Sequence, residues 1–141
     1  MASESTKMGA LNETECTFEF IKVAASQTLT KGTLCTVDAS GNAIVCPTSY
    51  AGATQTYVID EDVTTAASEV SKVTRFVKTG PVASKIDAAV TEGAAVIPSG
   101  TNAGQIKGAT VASDSAWLAI GYARPTEVGG SSTRIEWNKV R

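Results

Sequence analysis

The chain has 141 residues, the size of one domain. Its formal net charge of -2 and pI near 5.1 exclude an electrostatic nucleic-acid binder, which needs a surplus of Lys and Arg to neutralise phosphates. Histidine is absent, which excludes serine triads and His-ligated zinc sites and removes the usual proton shuttle near neutral pH.

The first stretch, Met1-Ala2-Ser3-Glu4-Ser5-Thr6-Lys7-Met8-Gly9-Ala10-Leu11-Asn12, continued by Glu13, is polar and poor in apolar residues. It predicts a flexible, extended N-terminal arm over residues 1–13 that becomes ordered on a partner. The arm has no apolar run, so it reads as neither a signal peptide nor a membrane span. No later stretch reaches the roughly 18 apolar residues of a spanning helix, and a soluble product made in the cytoplasm is expected.

Residues 14–141 are expected to form the β-rich domain. From Thr14 to Val23, Cys16, Phe18 and Phe20 alternate with Thr17, Glu19 and Ile21, the period of a half-buried strand. Gly32 to Val37 and Ala43 to Cys46 flank Asp38-Ala39-Ser40-Gly41-Asn42 and predict a hairpin turning at Ser40-Gly41. Pairing Ala39 with Asn42 would set Cys35 opposite Cys46. Tyr57 to Asp60 and Lys72 to Lys78 read as further strands, with Asp60-Glu61-Asp62 at a loop tip. That acidic trio lacks the Asp-x-Asp-x-Asp-Gly calcium loop, so no metal is assigned.

After Gly80-Pro81, residues Val82, Ile86, Ala89 and Val90 fall on one face of a helix, with Ser84 and Gly93 as candidate caps. Ala94 to Thr110 is broken by turn residues. Trp117 to Ala123 reads as a central strand, Gly129-Gly130-Ser131-Ser132 as a hairpin loop, and Arg134 to Val140 as the closing strand. In that last strand Ile135 and Trp137 face a core, while Arg134, Glu136 and Asn138 face solvent. The expected fold is mostly β: a small single-domain barrel or sandwich with one short helix and an N-terminal arm.

Hydrophobic residues make up 43% of the chain and aromatics only 6%, with Ala and Val supplying much of the apolar share. Small side chains remove little area from water, so a thin core completed by association is expected. The aromatics Phe18, Phe20, Trp117, Tyr122 and Trp137 are candidates for core or oligomer interface. Cys16, Cys35 and Cys46 have no metal-like spacing and read as buried small hydrophobes, kept reduced in a cytoplasm.

Lys31-Gly32-Thr33-Leu34-Cys35-Thr36-Val37-Asp38 followed by Ser40-Gly41-Asn42-Ala43 resembles the opening of the head decoration proteins of lambda-like phages. Lys78-Thr79-Gly80-Pro81-Val82 is similar to a later turn of that family. Ala116-Trp117-Leu118-Ala119-Ile120-Gly121-Tyr122-Ala123, with Arg134-Ile135-Glu136-Trp137, looks like related phage decoration proteins. The order of these motifs, over residues 30–141 with gaps, carries the resemblance. It implies a β-rich capsid decoration protein on the outer surface of the virion, a homotrimer whose arm lies on the major capsid protein. No cofactor, membrane or nucleic acid is implied.

An arm without its own core can add an edge strand to a neighbour, so Met1 to Asn12 form the expected capsid-binding element. Two other classes compete: a glycan- or receptor-binding module stacking sugars on Tyr50 and Tyr57, and another head or tail structural protein. An enzyme is least favoured, because nothing stands near Cys35 or Cys46 as a base.

Overall fold

A computed structural model of the protein describes residues 8–50, 52, 54–70, 72–87, 90, 93–109, 119–124 and 134–141. Strand β1 (Gly9–Ala10) and a single 3-10 turn (Glu13–Glu15) open the chain, followed by β2 (Thr17–Lys22), β3 (Thr28–Leu29) and β4 (Leu34–Val37). Next come β5 (Ala43–Val45), β6 (Tyr57–Ile59), β7 (Val63–Thr64) and β8 (Val73–Lys85). The last four are β9 (Ala95–Pro98), β10 (Ile106–Gly108), β11 (Gly121–Ala123) and β12 (Arg134–Lys139). The main sheet runs β10-β9-β11-β12-β8-β6-β4-β5, with β1 and β2 attached to β8, and β3 pairs β7 in a separate ribbon. All the paired strands are antiparallel, and the sheet curls into a half-barrel. The domain is mostly β, as its turn chemistry and alternating runs predict.

Strand β8 organises the fold. Its first half pairs with β2 and β6, and its second half with β1 and β12. The changeover is at a bulge: Thr17 pairs with Thr79 but Phe18 pairs with Val77. Gly80 follows it with φ 124, and a Cβ there would stand 2.8 Å from Cys16 Cα and from the Glu15 carbonyl oxygen. Only glycine admits that approach. Pro81 is buried in the next position, where its missing N–H is tolerated beside a bulge, and its carbonyl accepts the Leu11 N–H at 3.0 Å.

The helix expected between Val82 and Gly93 is not formed over Val82 to Ile86, which are strand and bridge. Val82 to Lys85 complete β8, and Pro81 to Ser84 are all buried. A strand covered on both faces has no alternation to display, so the spacing of Val82, Ile86 and Val90 mimicked a helical stripe. Ala89 lies outside the described residues.

The hairpin between β4 and β5 is present, with its register shifted by one. Cys35 pairs with Val45, not Cys46, because three residues rather than two turn the chain. Asp38 and Asn42 close the loop, Gly41 sits at φ 81, and Asp38 Oδ1 accepts the N–H groups of Ser40 at 2.9 Å and Asn42 at 3.0 Å. All three cysteines are free. Burial pushes the Cys46 thiol up to about 12 and the Cys35 thiol up further, so neither is a thiolate at neutral pH.

Alternate residues of the central strands feed two cores, one on each face of the sheet. Leu34, Val58, Val77, Val82, Ile135 and Trp137 belong to one. Cys35, Tyr57, Ile59, Phe76, Ile21 and Val23 belong to the other, which Leu29 of β3 joins and against which Val63 of β7 packs. The core expected to be thin is therefore divided, and Trp137, Phe76, Leu29 and Leu34 are nonetheless fully buried. On β12 the inward row Ile135, Trp137 continues to Lys139, 1% exposed, and Arg134 is also buried at 4%. The expectation of one wet face thus fails at Arg134, whose guanidinium meets the Glu136 carboxylate at 3.1 Å.

Candidate functional site

The arm expected over residues 1–13 is, from Met8 onward, part of the body. Gly9 and Ala10 are buried, Met8 and Leu11 half-buried, and only Asn12 and Glu13 exposed. Gly9 pairs with Ala83 and Ala10 with Val82. Residues Met1 to Lys7 lie outside the described residues. Strand pairing gives this polar segment its backbone partners, and one carboxylate secures it.

That carboxylate is Asp60, expected at a loop tip and found 5% exposed. Its Oδ1 accepts the Ala10 N–H at 2.9 Å and its Oδ2 pairs with the Arg75 guanidinium. Arg75 reaches Glu13 Oε1 at 2.9 Å and lies 4.3 Å from the centroid of the Phe18 ring. The Arg75 side chain thereby joins β8, the end of β6, the 3-10 turn and β2. Hydrogen bonds to Glu13 and then Asp60 raise its pKa further, which keeps the cation fixed. With its carboxylate so engaged, Asp60 is not free to act as a calcium ligand. Among the described residues no group of three or more His, Cys, Asp or Glu comes together to hold a metal ion.

This clasp predicts a measurable anchor. Asp60→Ala is expected to cost about 2–3 kcal/mol, because a buried amide loses its acceptor and a partly buried guanidinium one of its two carboxylates. Urea denaturation gives the cost, and hydrogen exchange at the Ala10 amide should quicken by a larger factor than exchange in β12.

Beside the clasp runs β2, which among the described residues has β8 as its sole ladder partner, with a single bridge from Val23 to Ala43 beyond its end. Among the described residues nothing pairs with its other edge, which presents a row of backbone donors and acceptors. Phe20 pairs with Arg75 and Lys22 with Val73, so these four side chains share one face. On it Phe20 is 67% exposed and Val73 56%. Phe18 is half-buried against the first core.

The other aromatic candidates among the described residues, Trp137 and Tyr122, stand on different strands. Trp137 is a core residue, its Nε1 donating to Ser84 Oγ at 3.1 Å. Tyr122, on β11, is half exposed. Trp117 lies outside the described residues, as does the Gly129 to Ser132 loop. The sugar-stacking pair also dissolves: Tyr57 is buried and donates to Glu19 Oε2 at 2.8 Å, and Tyr50 is half-buried with its hydroxyl on the Thr54 carbonyl.

Asp60 and Arg75 were missed in the sequence because each stands beside residues of ordinary loop or strand character. The available signal was that Asp60 directly follows the apolar run Tyr57 to Ile59, where an acid is placed at the sheet's edge rather than out in a loop. No protein-family profile matches the chain, and comparison with curated proteins and with solved structures returned no match.

Proposed function

We propose that the protein is a non-enzymatic structural component of a tailed-virus head, binding the outer surface of the capsid as an oligomer and stabilising its lattice. The observation that carries the reading is the N-terminal clasp set beside an open strand edge. Asp60 and Arg75 hold Ala10 and Glu13 on the body, and Arg75 is the ladder partner of the exposed Phe20 on β2. An extended segment and an unpaired edge are both suited to strand addition, in which main-chain hydrogen bonds supply the attachment. Covering Phe20 would contribute about 1–2 kcal/mol more. With several copies joined, such contacts act together, and weak individual binding becomes strong attachment.

The major capsid protein is the proposed partner, with further copies of this chain, in the trimer that the motif resemblance implies, beside it. The test is removal of Met1 to Lys7, which leaves β1 and the clasp in place, whereas a cut through Asn12 would also strip Ala10 from Asp60. Occupancy on expanded empty heads is expected to fall about tenfold or more while the unfolding midpoint stays within error. Undiminished occupancy would reject the segment as the attachment element.

A further inference from the structure

A polar cavity of about 200 Å³ opens where three sequence-distant pieces meet: the chain from Thr28 through Thr33, the Lys85 end of β8, and the Ala103 to Gln105 turn between β9 and β10. The wall is tightly built, since a Cβ on Gly104 would come within 2.7 Å of Thr33 Cγ2 and 2.8 Å of Val45 Cγ2. Most of its backbone donors are already used. The N–H groups of Gly32, Thr33, Gly104 and Gln105 go to the carbonyls of Ile59, Thr30, Cys46 and Asn102, and that of Lys31 goes to Asp62 Oδ1 at 2.7 Å.

The side chains offer a ligand two ammonium groups, threonine hydroxyls and the Gln105 amide. Among the described residues no acidic side chain lines the cavity. The Lys85 side chain is exposed and makes no ion pair or hydrogen bond among the described residues. Lys31 approaches Asp60 only at 4.0 Å, and that carboxylate is already shared between Arg75 and the Ala10 N–H. In a chain of net charge -2, two under-compensated cations converge on one polar recess.

We propose that this cavity binds a carboxylate, supplied by an acidic side chain of the surface on which the N-terminal segment docks. Consecutive N–H groups from Lys31 to Thr33 and at Gly104 and Gln105 are all turned to acceptors of the fold, which favours a carboxylate over phosphate, typically cradled by a nest of such donors. The link to the N-terminal segment is positional. A Cβ on Gly32, in the cavity wall, would meet Met8 Cβ at 3.0 Å, so the described chain begins at the cavity's rim. The identity of the partner rests on the assembly reading above; the carboxylate chemistry does not.

Lys85 is the residue to change, because Lys31 also packs against Gly9, whose Cβ would stand 3.0 Å from Lys31 Cε. Isotope-labelled protein would be titrated with an end-blocked Gly-Glu-Gly peptide, its Gly-Gln-Gly counterpart and inorganic phosphate, following the amides of Gly32, Thr33, Gly104 and Gln105. The glutamate peptide is expected to shift these amides saturably, more weakly as salt rises, with affinity about fivefold lower in Lys85→Gln and lost in Lys85→Glu. Equal shifts from the glutamine peptide, stronger binding of phosphate, or binding unchanged in Lys85→Glu would overturn the site. On expanded heads Lys85→Glu is expected to lower affinity about tenfold. If wild-type protein coats heads and Lys85→Glu coats them equally, the cavity's role in docking is refuted and the assembly reading stands. If wild type does not bind heads, the assembly reading and the named partner fall together, and the peptide titration alone decides the carboxylate site.

Discussion

Trp137→Ala is expected to cost about 3–5 kcal/mol, the range for emptying a buried aromatic site. The indole is 0% exposed, and it donates to Ser84 Oγ at 3.1 Å, itself on a fully buried residue. The site cannot collapse easily. Trp137 stands on β12 opposite Val82 of β8 and Ala123 of β11, and the neighbouring Gly121 leaves the indole room that a Cβ would take, at 2.6 Å from Cε3. Such a loss is a large share of the roughly 5–15 kcal/mol that holds a domain folded. Urea denaturation followed by far-ultraviolet dichroism should place the variant's midpoint far below wild type. Trp137→Phe, which keeps most of the volume and loses the hydrogen bond, is expected to cost about 1–2 kcal/mol. A Trp137→Ala protein as stable as wild type would mean that this indole is not at the centre of the core.

The second large effect has the opposite sign. Lys139 is 1% exposed, its Nζ donating to the Lys78 carbonyl at 2.7 Å. Burial, and then the charges of Lys78 and Arg141, push its pKa down from 10.5 to about 7. In the unfolded chain the same lysine titrates near its ordinary value. Between about 7 and 10.5 the unfolded state therefore holds a proton that the folded state has released, and stability rises with pH across that window. Below about 7 both states are protonated and the whole cost of burying the charge is present. Lys139→Met removes that cost while filling similar volume. At pH about 6 it is expected to stabilise the protein by about 2–4 kcal/mol, after about 1 kcal/mol is subtracted for the Lys78 carbonyl losing its donor. The gain should shrink as pH rises and be gone near pH 10.5. Denaturation of both proteins at pH 6, 8 and 10 checks the sign and the slope, and a variant less stable than wild type at pH 6 would contradict it.

Lys139 also marks the limit of what the pattern alone conveys. Ile135 and Trp137 announce an inward row, and the period of two places residue 139 in that row as well. Charge argues the other way, and only the folded chain puts Lys139 inside, with its ammonium on the Lys78 carbonyl. Arg134 enters the interior for a comparable reason: its carboxylate partner, Glu136, comes with it on the same strand. The candidate surface was legible in part. The polar N-terminal stretch and the alternation of Phe18 and Phe20 are visible in the residues, while the anchor for that stretch comes from Asp60, fifty positions away from the amide it holds.

The amino-acid sequence by itself determined the class and most of the strands, because alternation of apolar and polar residues and the chemistry of Gly, Pro, Asn and Asp act over a few neighbours. It also shows that these 141 residues include no histidine. Only the tertiary structure decided that Val82 to Lys85 extend β8, that the β4–β5 turn holds three residues, that the first described residues lie on the body, and that two lysines from separate elements face one cavity. Each of these depends on which distant segment lies alongside. A strand covered on both faces, a one-residue choice of register and a carboxylate bonded across the fold leave no local period to read, since their energy comes from contacts between residues far apart in the chain.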